Sequence, residues 1–143
     1  MEIKRRATAV WQGGLKDRRG AISTASGALK SYPFGFASRF EGTPGTNPEE
    51  LLGAAHAACF TMALSARLGE AGLTAEKMET TAEVTLAYVD GSYAITAVHL
   101  TLKARVPRAD QAIFRELAAK AKAGCPVSRV LKAEISLDAT LLD

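Results

Sequence analysis

The chain has 143 residues, 48% hydrophobic and 23% charged, the stock of one globular domain able to bury roughly two thirds of its unfolded surface. The net charge is only +3 and aromatics make up 6%; with no nucleic-acid motif beside them, nucleic acid is not an expected partner. The basic groups Lys4-Arg5-Arg6 and Lys16, Arg18, Arg19 read as a solvated strand edge and a solvated turn.

The opening residues lead into a short amphipathic stretch rather than a secretory apolar run, so a cytoplasmic location is expected. Residues 3–11 predict a strand, Gly13-Gly14 a turn and residues 20–25 a second strand, with Ser26-Gly27 and Tyr32-Pro33 breaking the pattern. The clearest helix start follows: Asn47 suits the N-cap, Pro48 the first helical position, and Glu49 and Glu50 the positive end of the dipole. Glu50, three residues after the cap, reads as a capping residue rather than a catalytic one. From Leu51 to about Gly69 the pattern is apolar nearly all round, as in a helix buried on most sides. Its longest uncharged run, residues 51–66, is too short and too rich in alanine for a membrane span, and no membrane partner is expected.

Val84, Leu86 and Tyr88 alternate with polar or small neighbours, and Asp90-Gly91 signals a type I′ hairpin. The return strand places Ala94, Thr96, Val98, Leu100, Leu102, Ala104 and Val106 on one face, and His99 on the solvent side. Residues 110–123 predict an amphipathic helix closed by Gly124, and Cys125-Pro126 a turn capping a short helix. Alternation of Ile135, Leu137, Ala139 and Leu141 predicts a last strand. The order β-β(-β)-α-β-β-α-β is an α+β arrangement, with a single domain expected over residues 1–143.

Cys59 and Cys125 are the only cysteines, 66 positions apart and without the close spacing of a metal site. No metal or cofactor is expected. By itself Cys59 reads as a small core residue, and the pair alone as a structural or regulatory disulfide. A general thiol–disulfide exchanger is disfavoured because Cys-x-x-Cys is absent. If Cys59 is reactive it needs a cation, since the middle of a helix offers its thiolate no dipole support. Arg67 lies eight positions away, roughly 12 Å along the axis. His56 stands three residues before Cys59, and a Cys–His pair would also suit acyl transfer, but no orienting group or oxyanion motif accompanies it.

Three runs carry a resemblance: Arg39-Phe40-Glu41-Gly42; Thr46 to Leu51 with Ala54-Ala55-His56-Ala57-Ala58-Cys59-Phe60; and Ala121 to Ser128 around Cys125. Together they resemble the OsmC family of osmotically inducible peroxidases over essentially the whole chain. Val10-Trp11 and Arg39 to Gly42 are closer to OsmC proper than to its sister group, the organic hydroperoxide resistance proteins. The resemblance implies an OsmC-like α+β fold and a thiol peroxidase of oxidative and osmotic stress defence, acting on organic hydroperoxides. It implies Cys59 as the attacking cysteine, Cys125 as the resolving one, and Arg39 with Glu49 as the pair that activates the thiolate. The implied partners are an external dithiol reductant, a lipoylated protein or dihydrolipoamide, and a second copy of the chain in an intertwined homodimer. Helix geometry supports the last point: Glu49 precedes Cys59 by ten residues, roughly 15 Å on a straight helix, which makes support from Arg39 of the same chain awkward.

Overall fold

Short, glycine-punctuated alternation at the N-terminus yields short strands. In the computed structural model, which describes residues 1–143, β1 (Ala7–Val10), β2 (Arg19–Thr24) and β3 (Tyr32–Gly35) form an antiparallel sheet in the order β1-β2-β3. β1 is shorter than residues 3–11 because its ladder ends where β2 does, at Ala7 opposite Thr24. Tyr32-Pro33, expected as a break, instead opens β3. Pro33 pairs with Ala21 on an edge strand, where its missing N–H removes no bond from a second neighbour. A five-residue helix that the pattern did not announce, α1 (Phe36–Phe40), follows directly; the Ser38 hydroxyl accepts the Gly35 N–H at 2.9 Å and fixes its start. These elements belong to the first of two compact units, residues 1–51; the second is residues 52–143.

The long helix α2 (Pro48–Glu70) begins at the end of the first unit and runs into the second. Asn47 Oδ1 accepts the Glu50 N–H at 2.7 Å, and the Thr46 hydroxyl donates to Glu50 Oε2 at 2.8 Å. Glu50 is therefore held in the cap.

The second unit is built on β4 (Lys77–Val89), β5 (Ser92–Arg105) and β6 (Glu134–Leu142), in that order across the sheet. β4 and β5 form the expected hairpin, with φ of 51° at Asp90 and 85° at Gly91, the left-handed pair that a type I′ turn requires. β6 lies parallel to β5, and the crossover between them carries α3 (Gln111–Gly124) and α4 (Pro126–Val130). Gly124 closes α3 as its last residue, with Cys125 as the C-cap. On β5, Val98, Leu100, Leu102 and Ala104 are buried as their period predicts, but Ala94 and Thr96 are exposed. A register shift against Thr85 and Leu86, which leaves Thr96 without a partner, interrupts the alternation there.

The core joins Phe60, Leu64 and Leu68 of α2, Val98 to Val106 on and just past β5, and Phe114, Ala118 and Ala121 of α3. Each large side chain so buried contributes about 1.5–3 kcal/mol. α2 approaches the sheet closely at Gly53, where a Cβ would stand 3.2 Å from the Ala82 carbonyl.

Burial of α2 is one-sided. His56, Phe60, Leu64 and Leu68 face inward, while Ala54, Ala58, Met62 and Ala66 are exposed, Met62 by 74%. The helix also has 23 residues and contains an 18-residue window of mean hydropathy 1.3, so by length and composition it is apolar enough to cross a membrane. Shortness is thus not what argues against a span. The packed stripe, which begins at a buried histidine, is the stronger reason.

Candidate active site

The second unit brings the two cysteines together. Cys59 sits mid-helix in α2 and Cys125 caps α4, and the two thiols share a hydrogen bond. Both are free thiols, Cys125 fully buried and Cys59 half-buried. The fold achieves this by running α3 back across the sheet and ending it at Gly124, so that the turn at Cys125-Pro126 delivers the second sulfur.

Their surroundings are unequal. Burial pushes the Cys59 thiol above its ordinary value, its hydrogen bond with Cys125 pushes the same way, and a single main-chain donor, Val127, opposes them. No cation contributes. Burial also raises the Cys125 thiol, but donors outweigh it: the Cys59 thiol, the main chain and hydroxyl of Ser128, and the main chain of Val127. Its net position is below that of an ordinary cysteine. Hydrogen bonds to the ionised form favour it, and these hold Cys125 down while Cys59 is pushed up.

His56 does not turn to Cys59. It is fully buried on the core face of α2, and its Nε2 lies 2.7 Å from Ser128 Oγ. Its Nδ1 has no partner, and burial holds the ring below its ordinary 6.5, which keeps it neutral at physiological pH. Ser128 is the polar residue that the sequence reading passed over. Its position three residues after Cys125, at the start of a helix, was the available signal, because an i+3 hydroxyl can reach back to the capping residue.

In the first unit, Arg39 in the last turn of α1 meets Glu49 in the first turn of α2. The guanidinium Nε donates to both carboxylate oxygens at 3.1 and 3.3 Å, and Nη2 donates to Oε1 at 2.5 Å. Glu49 is largely buried while the Arg39 side chain keeps 33% of its exposure, so the carboxylate anchors and orients an accessible cation.

The remaining candidates have structural partners. Arg67 pairs with Glu70 at 3.4 Å and is 43% exposed. His99 Nδ1 meets Ser136 Oγ at 2.6 Å between β5 and β6. No group of three or more His, Cys, Asp or Glu side chains converges as a metal site.

Comparison with known proteins gives a consistent picture. The family described as OsmC-like protein matches residues 40–140. Peroxiredoxin OsmC of Escherichia coli (strain K12) is 55% identical over 138 residues, 96% of each chain. The organic hydroperoxide resistance protein of Xanthomonas axonopodis pv. citri is 30% identical over 136 residues, 94% of this chain and 92% of that one. The crystal structure of the organic hydroperoxide resistance protein OhrB of Bacillus subtilis superposes with a TM-score of 0.70 at 27% identity, covering 94% of this chain and 98% of that one.

Proposed function

The chain belongs to the OsmC-like family, and from that premise we propose that it is a cytoplasmic thiol peroxidase of stress defence that reduces organic hydroperoxides with Cys59 and Cys125. The observation that carries the reading is the contact between the two free thiols, one half-exposed and one buried. A peroxidatic cysteine must meet solvent-borne substrate; a resolving cysteine must only meet the first.

The Cys59 thiolate attacks the distal oxygen of the hydroperoxide. The O–O bond breaks, the alkoxide leaves and takes a proton as alcohol, and the sulfur becomes a sulfenic acid. Cys125 attacks that sulfur, hydroxide leaves as water, and a Cys59–Cys125 disulfide forms. An external dithiol, a lipoylated protein or dihydrolipoamide, returns both thiols and closes the cycle.

Cys59 starts from a raised pKa with no cation to stabilise its thiolate. Arg39, oriented by Glu49, supplies that charge and hydrogen-bonds the peroxide oxygens. The pair acts from a second copy of the chain in an intertwined homodimer, each copy a single domain over residues 1–143. The exposed apolar stripe Ala54, Ala58, Met62 and Ala66 of α2 supports such burial against a partner.

The test is consumption of cumene hydroperoxide with dihydrolipoamide, alongside hydrogen peroxide as a poorer substrate. Cys59→Ser is expected to lose roughly a thousandfold or more, as when a nucleophile is removed. Unchanged turnover in that variant would sink the mechanism and favour a merely structural or regulatory role for the two cysteines.

A further inference from the structure

His56 and Ser128 have no part in the attack on peroxide, yet they form a buried polar chain that ends on the resolving sulfur. The neutral ring has one proton to place. Its Nδ1 is buried without a partner, and an orphaned N–H is rarer in folded interiors than an under-used acceptor. The hydrogen-bond network therefore assigns the proton to Nε2, which donates to Ser128 Oγ at 2.7 Å. With its lone pair so engaged, the Ser128 hydroxyl is free to donate onward, and its contact is Cys125. The chain runs one way, from His56 through Ser128 to Cys125.

We infer that His56 and Ser128 are positioning residues for the resolving step: a neutral donor relay that holds Cys125 as a thiolate aimed at the Cys59 sulfenic acid. The inference rests on the peroxidase reading and assigns a separate device to its second half. In that step the Cys125 thiolate donates an electron pair to the Cys59 sulfur, the S–O bond breaks, and hydroxide leaves with a proton as water. The Cys125 sulfur is oxidised and the sulfenic sulfur reduced, each to the disulfide level. A donor that remains neutral suits the task, because an imidazolium would have to be buried in the core. The lowered pKa of His56 agrees with this. The titratable groups facing the network are Cys59 and His56, both from α2, and Arg67 of the same helix approaches the chain at Gly124, 3.6 Å from where its Cβ would stand.

Two measurements test it in the full-length protein. In a Cys59→Ser background, ultraviolet thiolate absorbance titrates Cys125 alone. Ser128→Ala and His56→Leu are expected to move that titration to higher pH, while Ser128→Thr and His56→Gln, which keep a donor, restore it. In the otherwise wild-type chain, one equivalent of cumene hydroperoxide is followed by quenched counting of sulfenic acid with dimedone. Ser128→Ala is expected to leave Cys59 open to oxidation and to slow disulfide formation roughly tenfold, less than the hundredfold or more lost with a group that itself transfers the proton. Cooperative thermal unfolding checks that each variant is folded; Ser128→Ala removes only one oxygen. A Cys125 titration and a resolution rate unmoved by Ser128→Ala would overturn the relay. Failure of Cys59 to be oxidised even in the wild type would instead overturn the peroxidase reading beneath it.

Discussion

The Arg39–Glu49 pair and the Cys59–Cys125 pair lie in different compact units and use opposite electrostatics. The first is a full ion pair, a guanidinium held by a buried carboxylate. The second has no ion-pair partner: its sulfurs are held by thiol, hydroxyl and main-chain donors, with a neutral imidazole behind them. Donors alone are enough for Cys125, whose pKa falls, but not for Cys59, whose pKa rises. In the mechanism proposed, the contrast divides the labour: the resolving cysteine is prepared by its own unit, and the attacking cysteine waits for a charge from elsewhere.

The comparison breaks most visibly at Cys125. Cys125→Ser should keep the first turnover and stop afterwards, so that steady-state consumption of hydroperoxide falls roughly a hundredfold or more while dimedone captures Cys59 as its sulfenic acid. Sustained turnover in that variant would mean that another thiol resolves the intermediate.

Removing the charge comes next. Arg39→Ala should lower kcat/KM for cumene hydroperoxide by about a hundredfold, the scale of one lost charge-stabilising donor. Its rate profile should also move to higher pH, because Cys59 then ionises only from its raised position. A lower rate without that displacement would assign Arg39 to peroxide binding alone.

The neutral side of the comparison has its own signature in stability. His56 is neutral in the folded chain with its pKa below 6.5, so the unfolded chain binds more protons as pH falls. Stability is then complete above about pH 6.5 and declines on acidification towards the folded pKa of His56. His56→Gln should flatten that decline in urea midpoints measured between pH 7 and 5, and an unchanged slope would show that carboxylates dominate it. The smallest effect belongs to the capping residue. Glu50→Ala should cost about 0.5–1 kcal/mol of stability and leave hydroperoxide turnover unchanged.

Much of this arrangement was legible in the residues. Asn47-Pro48 announced α2 because its capping chemistry is local, and Asp90-Gly91 announced the hairpin because two consecutive left-handed residues admit few others. Pro33 misled because proline is a breaker only where the sheet needs its N–H, and that depends on which strand becomes the edge. The one-sided burial of α2 was hidden by alanine, which reads as apolar whether it meets a core or solvent. At the site, Arg39 and Glu49 were found through the family resemblance and then meet in the structure. Ser128 was missed because a serine after a proline turn is ordinary until the long-range partner, His56 from 72 positions away, is seen beside it.

The central claim is that the Cys59 thiolate depends on Arg39 of a second chain, and subunit mixing tests it most directly. Arg39→Ala and Cys59→Ser chains, each retaining about a hundredth of wild-type activity or less, are unfolded together in equal amounts, refolded and assayed with cumene hydroperoxide. Random reassortment into dimers with one intact site in half of them should recover about a quarter of wild-type activity if the residues act across the interface. No activity above that of the two parents would contradict the account and place Arg39 and Cys59 in the same chain's site.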